Sequence, residues 1–542
     1  MHRIDTARLS ESPLWALQKK FYEEEGQSAW KRDLVPSFVT SNAFVASKYA
    51  SLILSFASDW IAQFRSDGDQ VGNTPGKIYV LDIGAGHGKL GYLIVRQLLR
   101  LKELWPTLQQ ELHFFKYVLT DKFKGNVEYW TSHEKLQPLF KLGVLDVAQY
   151  DAEKDTEIHL RFSKEVLAPG RPSASPIVAI FQYVFDTLRH DAFQLRGGVL
   201  YEGRCSVTYP ANVPAAISIS QLECAWEYLP VTERGNDGRI TYYSGPNSDV
   251  NRVLDDYTQH ATKPLSFLLP IGGLGCLRRL RKISMSGVFA LVADKSDQLC
   301  NDLEGICDPQ IAIHGSFSLM VNIDAVRKYA KSTGGLMLET LYRSDSFQCS
   351  AFLLPNHSLT DLGNFPELAM AWREMQRFGI ETFQSLQKCI KEESKNYSLP
   401  LALNILRISC HDPDVFYKFR RAFLRASNGM SESLKHDIMQ DAEILASNYF
   451  PLQVSKDIYF ALGRWMMSLK SYARAIKFFS SSQSWWGEHP ITYHNQGLCY
   501  QFLDQLDSAR ECFIKAISLK PSYDAARNWL ARVETRMAVR MQ

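Results

Sequence analysis

Several things are scarce in this chain of 542 residues, and each scarcity excludes something. No apolar run reaches the roughly 18 residues that cross a bilayer, so no membrane partner is expected. The ten cysteines form no CxxC pair and follow no secreted-domain spacing. Free, mostly buried thiols in a reducing compartment are the expectation. The net charge of +3 is small for this length and does not suit a dedicated nucleic-acid binder, which would carry a basic face or stripe. The densest basic run, Arg278, Arg279, Arg281 and Lys282, sits between apolar residues and reads as a solvated helix face. The opening residues lack the apolar core of a signal peptide, and their acidic members do not suit a mitochondrial presequence. A cytoplasmic protein with no assigned metal site is expected.

What is present is ordinary globular composition, 46% hydrophobic and 22% charged. The length suggests two to four domains. Apolar residues at helical spacing predict helices over Leu14–Glu25 and residues 42–64. The run KIYVLD then predicts a strand ending at Asp82. Helix and strand alternate from there, with a helix over 90–104, a strand over 114–119, a helix over 127–140, and strands over 177–183 and 286–294. That alternation implies an α/β fold with a mostly parallel, doubly wound, Rossmann-like sheet. Residues 205–257 break the rhythm with Pro, Gly, Asn and aromatics and suit a lid or insertion. After about residue 360 strand signals end and the chain turns all-α. The expected domains are an N-terminal helical segment over 1–65 covering the site, the sheet domain over 66–360, a helical linker over 361–450, and helical repeats over 451–542.

The repeats show themselves by phase. Gly463 and Gly497 stand 34 positions apart, and Tyr459 with Tyr493, Ala475 with Ala509, and Phe479 with Phe513 keep the same step. Pro521 closes the second unit. Small residues let paired helices approach and aromatics fill the gap to the next unit, as in tetratricopeptide repeats. Such a module implies a protein substrate or partner held by the carboxy-terminal end.

The segment LDIGAGHGKLG follows a strand and opens a helix. Glycines 84, 86 and 88 permit positive φ and close approach of a ligand. A P-loop is excluded, because Lys89 is followed by Leu90 and the magnesium-binding hydroxyl is missing. The letters Gly86-x-Gly88-x-x-Gly91 satisfy a dinucleotide fingerprint. Asp82 argues against it, since a carboxylate would face the pyrophosphate that the helix N-terminus should attract. S-adenosylmethionine carries an ammonium and a sulfonium and no phosphate, so the same acid favours it. In that reading Asp82 holds the methionine amino end and glycines 84, 86 and 88 admit the methionine and ribose. Asp121 would accept the ribose hydroxyls and Asp151 the adenine amino group.

These residues resemble the class I methyltransferases, and further segments narrow the likeness to the MidA family, the mitochondrial complex I assembly arginine methyltransferases and their bacterial relatives. Phe38-Val39-Thr40-Ser41 is similar to that family's segment ahead of its first helix. Tyr183-Val184-Phe185-Asp186-Thr187-Leu188, followed by Phe193, resembles its motif after strand four, and the stretch 311–326 places His314 on the family's histidine. The likeness covers roughly residues 30–355. It implies cofactor contacts from Thr40 and Gln182, and it makes Asp186 and His314 the candidate catalytic groups, first and second. The family's Asn-Glu pair falls on Gln182 and Tyr183, so the carboxylate expected beside the substrate is absent. His87 is read as a helix cap, and His190 as a surface residue. The leading expectation is a protein methyltransferase, with arginine as the acceptor implied by the resemblance. A methyltransferase-fold assembly protein without catalysis and a small-molecule methyltransferase are the alternatives.

Overall fold

The computed structural model describes residues 2–26, 41–66, 76–103, 114–170, 175–209, 223–314, 316–343, 347–356, 362–389, 397–425, 430–452 and 456–541. Thr40, with the neighbouring 38–39, lies outside the described residues. The chain divides into two compact units, one of Met1–Ser41 with Val45–Gln384, the other of Asn42–Phe44 with Ser385–Gln542.

The main sheet of the first unit runs through β1 (Ile78–Ile83), β2 (Phe115–Asp121), β3 (Leu145–Gln149), β4 (Ile177–Gln182), β5 (Val288–Asp297), β6 (Leu336–Met337) and β7 (Phe347–Leu354), and the short strand Val321–Asn322 pairs beside the end of β5. Their order across the sheet is 3-2-1-4-5-7-6. Strands 1 to 5 pair in parallel, while β7 runs antiparallel to both β5 and β6. A sheet covered on both faces needs apolar residues at every position rather than at alternate ones. IYVLDI in β1 and FKYVLTD in β2 are buried throughout. The reversed seventh strand is the order of the class I methyltransferase fold. The dinucleotide fold, 3-2-1-4-5-6, has no such strand.

In a second, antiparallel sheet Val199–Tyr209 pairs with Glu223–Pro230 through Tyr201–Thr208, with His2–Arg8 through Arg204–Tyr209 and with Asp191–Arg196 through Val199–Gly203, and Asp191–Arg196 pairs in turn with Leu265–Leu269. The first segment of the chain therefore opens with a strand before its helices. Of residues 205–257, read as a lid or insertion, 205–209 and 223–230 pair in this sheet and 251–257 begin the helix Asn251–His260.

Three local expectations need correcting. The single helix over 127–140 is two, Lys124–Ser132 and Gln137–Lys141, the second with Pro138 in its first turn, where a missing N–H donor is tolerated. The basic run is no solvated face: Arg278 grips Asp249 with two bonds of 2.7 and 2.6 Å and Asn247 at 2.9 Å, and Arg281 donates to the carbonyls of Thr333 and Pro355. His190 is fully buried, donating Nδ1–H to the Leu188 carbonyl at 2.8 Å and stacking on Trp15.

The second unit is helical in its described residues from Leu399–Ile408 to Asp524–Met541. Ile458–Ser468 pairs with Tyr472–Trp486, and Pro490–Phe502 with Leu506–Leu519, as two hairpins. A Cβ on Gly463 would stand 2.5 Å from the Phe479 ring, and one on Gly497 2.8 Å from Phe513. The 34-residue step in the sequence is thus one contact made twice. Among the described residues no helix is long and apolar enough to cross a membrane.

Candidate functional site

The carboxyl ends of parallel strands gather side chains at one edge, and here a pocket opens above them. It encloses about 1110 Å³, part of it open to solvent. Its wall takes Asp82 and the glycine loop from β1, Asp121 from β2, Asp151 from the turn after β3, and Gln182 with Tyr183 from β4. Gln18 and Tyr22 from the Leu14–Glu25 helix close another side, joined by Ser41.

The loop takes its shape from its glycines. Gly84, Gly86 and Gly88 have φ of 66°, 57° and 76°, a region costly for other L-residues. Gly88 is the left-handed cap from which the helix Lys89–Lys102 starts. The bend is clamped from outside, where Trp130 Nε1–H donates to the Gly86 carbonyl at 3.0 Å. Gly91, the last member of the dinucleotide-like spelling, has a packing role: a Cβ there would meet Leu119 at 2.4 Å. His87 accepts the Lys89 N–H on Nδ1 at 3.1 Å, and burial with Lys89 nearby lowers its imidazole to about 3, so it is neutral.

Asp82 is 2% exposed. Tyr117 donates its phenol to Asp82 Oδ2 at 3.0 Å, yet burial, reinforced by Asp121, raises the carboxyl to about 7. Removal from water disfavours the charged form, and a cation placed beside it would restore that form. Asp121 is also raised by burial; it accepts the Phe123 N–H on Oδ1 at 2.9 Å and the Asn126 amide on Oδ2 at 2.8 Å. The Gly86 N–H is a further donor to this carboxyl, so Asp121 ties the glycine bend to the end of β2. Asp151 accepts the Glu153 N–H at 2.9 Å and holds the turn while lining the pocket.

Gln182 ends β4 with its Oε1 accepting the Tyr49 phenol at 2.6 Å. Its Nε2 is buried and has no hydrogen-bond partner among the described residues. Tyr49 comes from the helix Ala43–Ser66 and was not singled out from sequence, where it reads as one more apolar position of an amphipathic helix. Tyr183 follows with φ 54°, a strained conformation that bends the chain away from the strand end.

The structure does not bring all the predicted residues together. Asp186 lies in the short turn Phe185–Thr187, is 6% exposed, and is not among the residues facing the pocket. Its carboxyl hydrogen-bonds that of Asp294 within β5, whose Oδ2 accepts the Phe185 N–H at 3.0 Å. Two buried carboxyls in contact cannot both ionise, so burial and mutual repulsion raise the pair and one proton is shared. The charge of Asp186 does reach Tyr22, whose phenol burial pushes up to about 12. His314 ends the strand Ile311–His314 opposite Ser316, and its side chain lies outside the described residues. Among the described residues no group of three or more His, Cys, Asp and Glu is placed to hold a metal ion.

Comparison with known proteins gives few matches. Residues 491–523 match the model of the tetratricopeptide repeat. No curated protein matches the chain. Among solved structures, the chain is similar to an uncharacterized protein from Burkholderia thailandensis at 11% identity, TM-score 0.31, covering 60% of this chain and 78% of that one. A second protein of the same superfamily and organism, bound to S-adenosyl-homocysteine and taken for a methyl transferase, matches at 10% identity, TM-score 0.32, covering 60% and 80%. Likenesses this slight carry no argument about activity.

Proposed function

We propose that the first unit is an S-adenosylmethionine-dependent methyltransferase, and that the helical repeats recruit its protein substrate or a partner. The observation that carries this is Asp82, a buried acid beside a glycine bend at the carboxyl edge of a 3-2-1-4-5-7-6 sheet. It favours a cationic ligand and opposes a diphosphate. Asp121, an acceptor carboxyl on the pocket wall, suits a ribose diol, and Asp151 sits one strand further, where the base would lie. Thr40 is retained as a cofactor contact on the resemblance alone.

Bound S-adenosylmethionine would supply an activated methyl on a sulfonium with a neutral leaving group. The protein then has to position the acceptor and keep water out. Tyr22 and Gln18, reaching over the pocket from the Leu14–Glu25 helix, serve both ends. Asp186, sharing a proton with Asp294, acts as a positioning group that holds the turn after β4. His314 remains the candidate for taking the acceptor's proton. Arginine is the acceptor that the family resemblance favours.

A second reading, an assembly protein that binds the cofactor without turnover, is favoured by one observation: no carboxylate stands at Gln182 or Tyr183, and Asp186 is off the wall. The two separate in one experiment. Labelled S-adenosylmethionine incubated with the full chain and host lysate should transfer label into protein. Binding without any transfer favours the second reading, and no binding removes both.

A further inference from the structure

The helix Leu14–Glu25, which walls the pocket, is tied to the molecule through the residues ahead of it. His2–Arg8 pairs with Val199–Tyr209 at an outer edge of the second sheet, and its register slips between Ile4 and Ala7. An edge strand at a chain end is among the parts of a fold that open most readily. What holds this one is the corner that follows it. Arg8 Nε–H donates to Glu202 Oε1 at 3.2 Å, and its guanidinium lies 4.5 Å from the centre of the Tyr242 ring and 5.6 Å from that of Tyr243. Tyr243 donates its phenol to Asp191 Oδ2 at 2.6 Å, and Asp191 Oδ1 accepts the Ser10 N–H at 3.0 Å.

The corner passes directly into the helix. Trp15 Nε1–H donates back to the Leu9 carbonyl at 2.7 Å, and its ring stacks on His190. Gln18 Nε2–H donates to the Phe317 carbonyl at 3.0 Å, and Tyr22, one turn on, stands in the pocket wall. One short stretch serves both sides: Thr187 and Leu188 line the pocket, while His190 and Asp191 hold the corner. From this geometry we propose that residues 2–25 are a strap over the pocket, latched by Arg8 in the box of Glu202, Tyr242 and Tyr243, and that a ligand enters and leaves when the latch opens. The inference rests on the reading of this pocket as the cofactor site and adds how that site exchanges its ligand. Arg8 is a positioning residue and touches no ligand. Opening exposes the pocket to an arriving and to a departing ligand alike, so a weaker latch speeds both steps and changes affinity little.

The test follows association and dissociation of S-adenosylhomocysteine by stopped flow on the full chain. Arg8→Ala removes a charge-assisted hydrogen bond and the ring contacts, so both rate constants should rise about tenfold while Kd stays within about threefold. Glu202→Gln keeps an acceptor but removes its charge, and should act in the same direction more weakly. Hydrogen exchange is the second readout. Bound ligand should slow exchange at the amides of 14–25, and Arg8→Ala should quicken it there while β1 and β2 exchange as before. Should β1 and β2 quicken too, the fold has loosened and Glu202→Gln decides. Unchanged rates overturn the proposal. So does a rise in dissociation alone with affinity lost in proportion, since Arg8 is then a structural prop of the pocket. Wild-type protein that binds no S-adenosylhomocysteine removes the cofactor reading instead, and the strap is then decided by exchange at 14–25, where no response to Arg8→Ala overturns it.

Discussion

Glycine does different work in the two units of this molecule. In the sheet unit, Gly84, Gly86 and Gly88 are needed for backbone angles that other residues resist, and the bend they make, through Gly84 and Gly86, lines a pocket. In the helical unit, Gly463 and Gly497 have helical backbones that any residue could adopt, and what they leave is room for a phenylalanine ring. The first use is conformational and serves a ligand. The second is steric and serves packing between helices. Substitutions should therefore fail differently in the two places, one in binding and the other in stability.

The largest effect should come from Gly86→Arg. It forces a side chain into the left-handed region, at about 1–2 kcal/mol, beside the space a ligand would fill. We expect S-adenosylhomocysteine binding to fall about a hundredfold or more, read by calorimetry, with stability lowered only by that about 1–2 kcal/mol of strain. Equal binding would break the ligand half of the comparison. Gly497→Leu gains about 1 kcal/mol of helix propensity but must displace the Phe513 ring. Overpacking usually costs about 1–3 kcal/mol, and here the backbone leaves less room than usual, so a net loss of about 2 kcal/mol is expected in denaturant melts, with cofactor binding intact. Adding Phe513→Ala should recover part of it.

These two predictions also mark what could be read in advance. The repeat was legible because its contact recurs at a fixed step, and the glycine loop because strand, bend and helix adjoin in sequence. The helix Leu14–Glu25 was legible from its spacing alone. The second sheet was not. Glu223–Pro230 alternates half-buried and exposed residues, so it lacks the continuous apolar runs that marked β1 and β2. The partners of Arg278 and the burial of His190 depend on residues distant in sequence or on packing, and letters alone do not report either. Asp186 matched a motif, yet its side chain meets Asp294, 108 positions later. Tyr49 went unnoticed because a phenol serving an amide looks, in sequence, like any core aromatic.

Smaller effects sharpen the comparison further. Asp82 is raised to about 7 without ligand, and a bound ammonium requires its ionised form. Binding thus releases a proton, and affinity should fall as pH drops through that value, roughly tenfold between about pH 7.5 and 6. Above about pH 8 the ligand's own amino group loses its proton, so the profile should be bell-shaped. Asp82→Asn should weaken binding and flatten the acid limb; an unchanged limb would assign it to another group. In the helical unit, Asp457 caps Ile458–Ser468 by accepting the Phe460 N–H at 2.8 Å. Asp457→Ala should cost about 1 kcal/mol in denaturant melts and leave ligand binding alone.

The claim on which the rest depends is that the acid next to the glycine bend selects a cationic nucleoside over a diphosphate. Parallel calorimetric titrations of the full chain with S-adenosylhomocysteine and with nicotinamide adenine dinucleotide test it directly. The account predicts saturable binding of the first, lost in Asp82→Asn, and none of the second. Binding of the dinucleotide with exclusion of the thioether would contradict it.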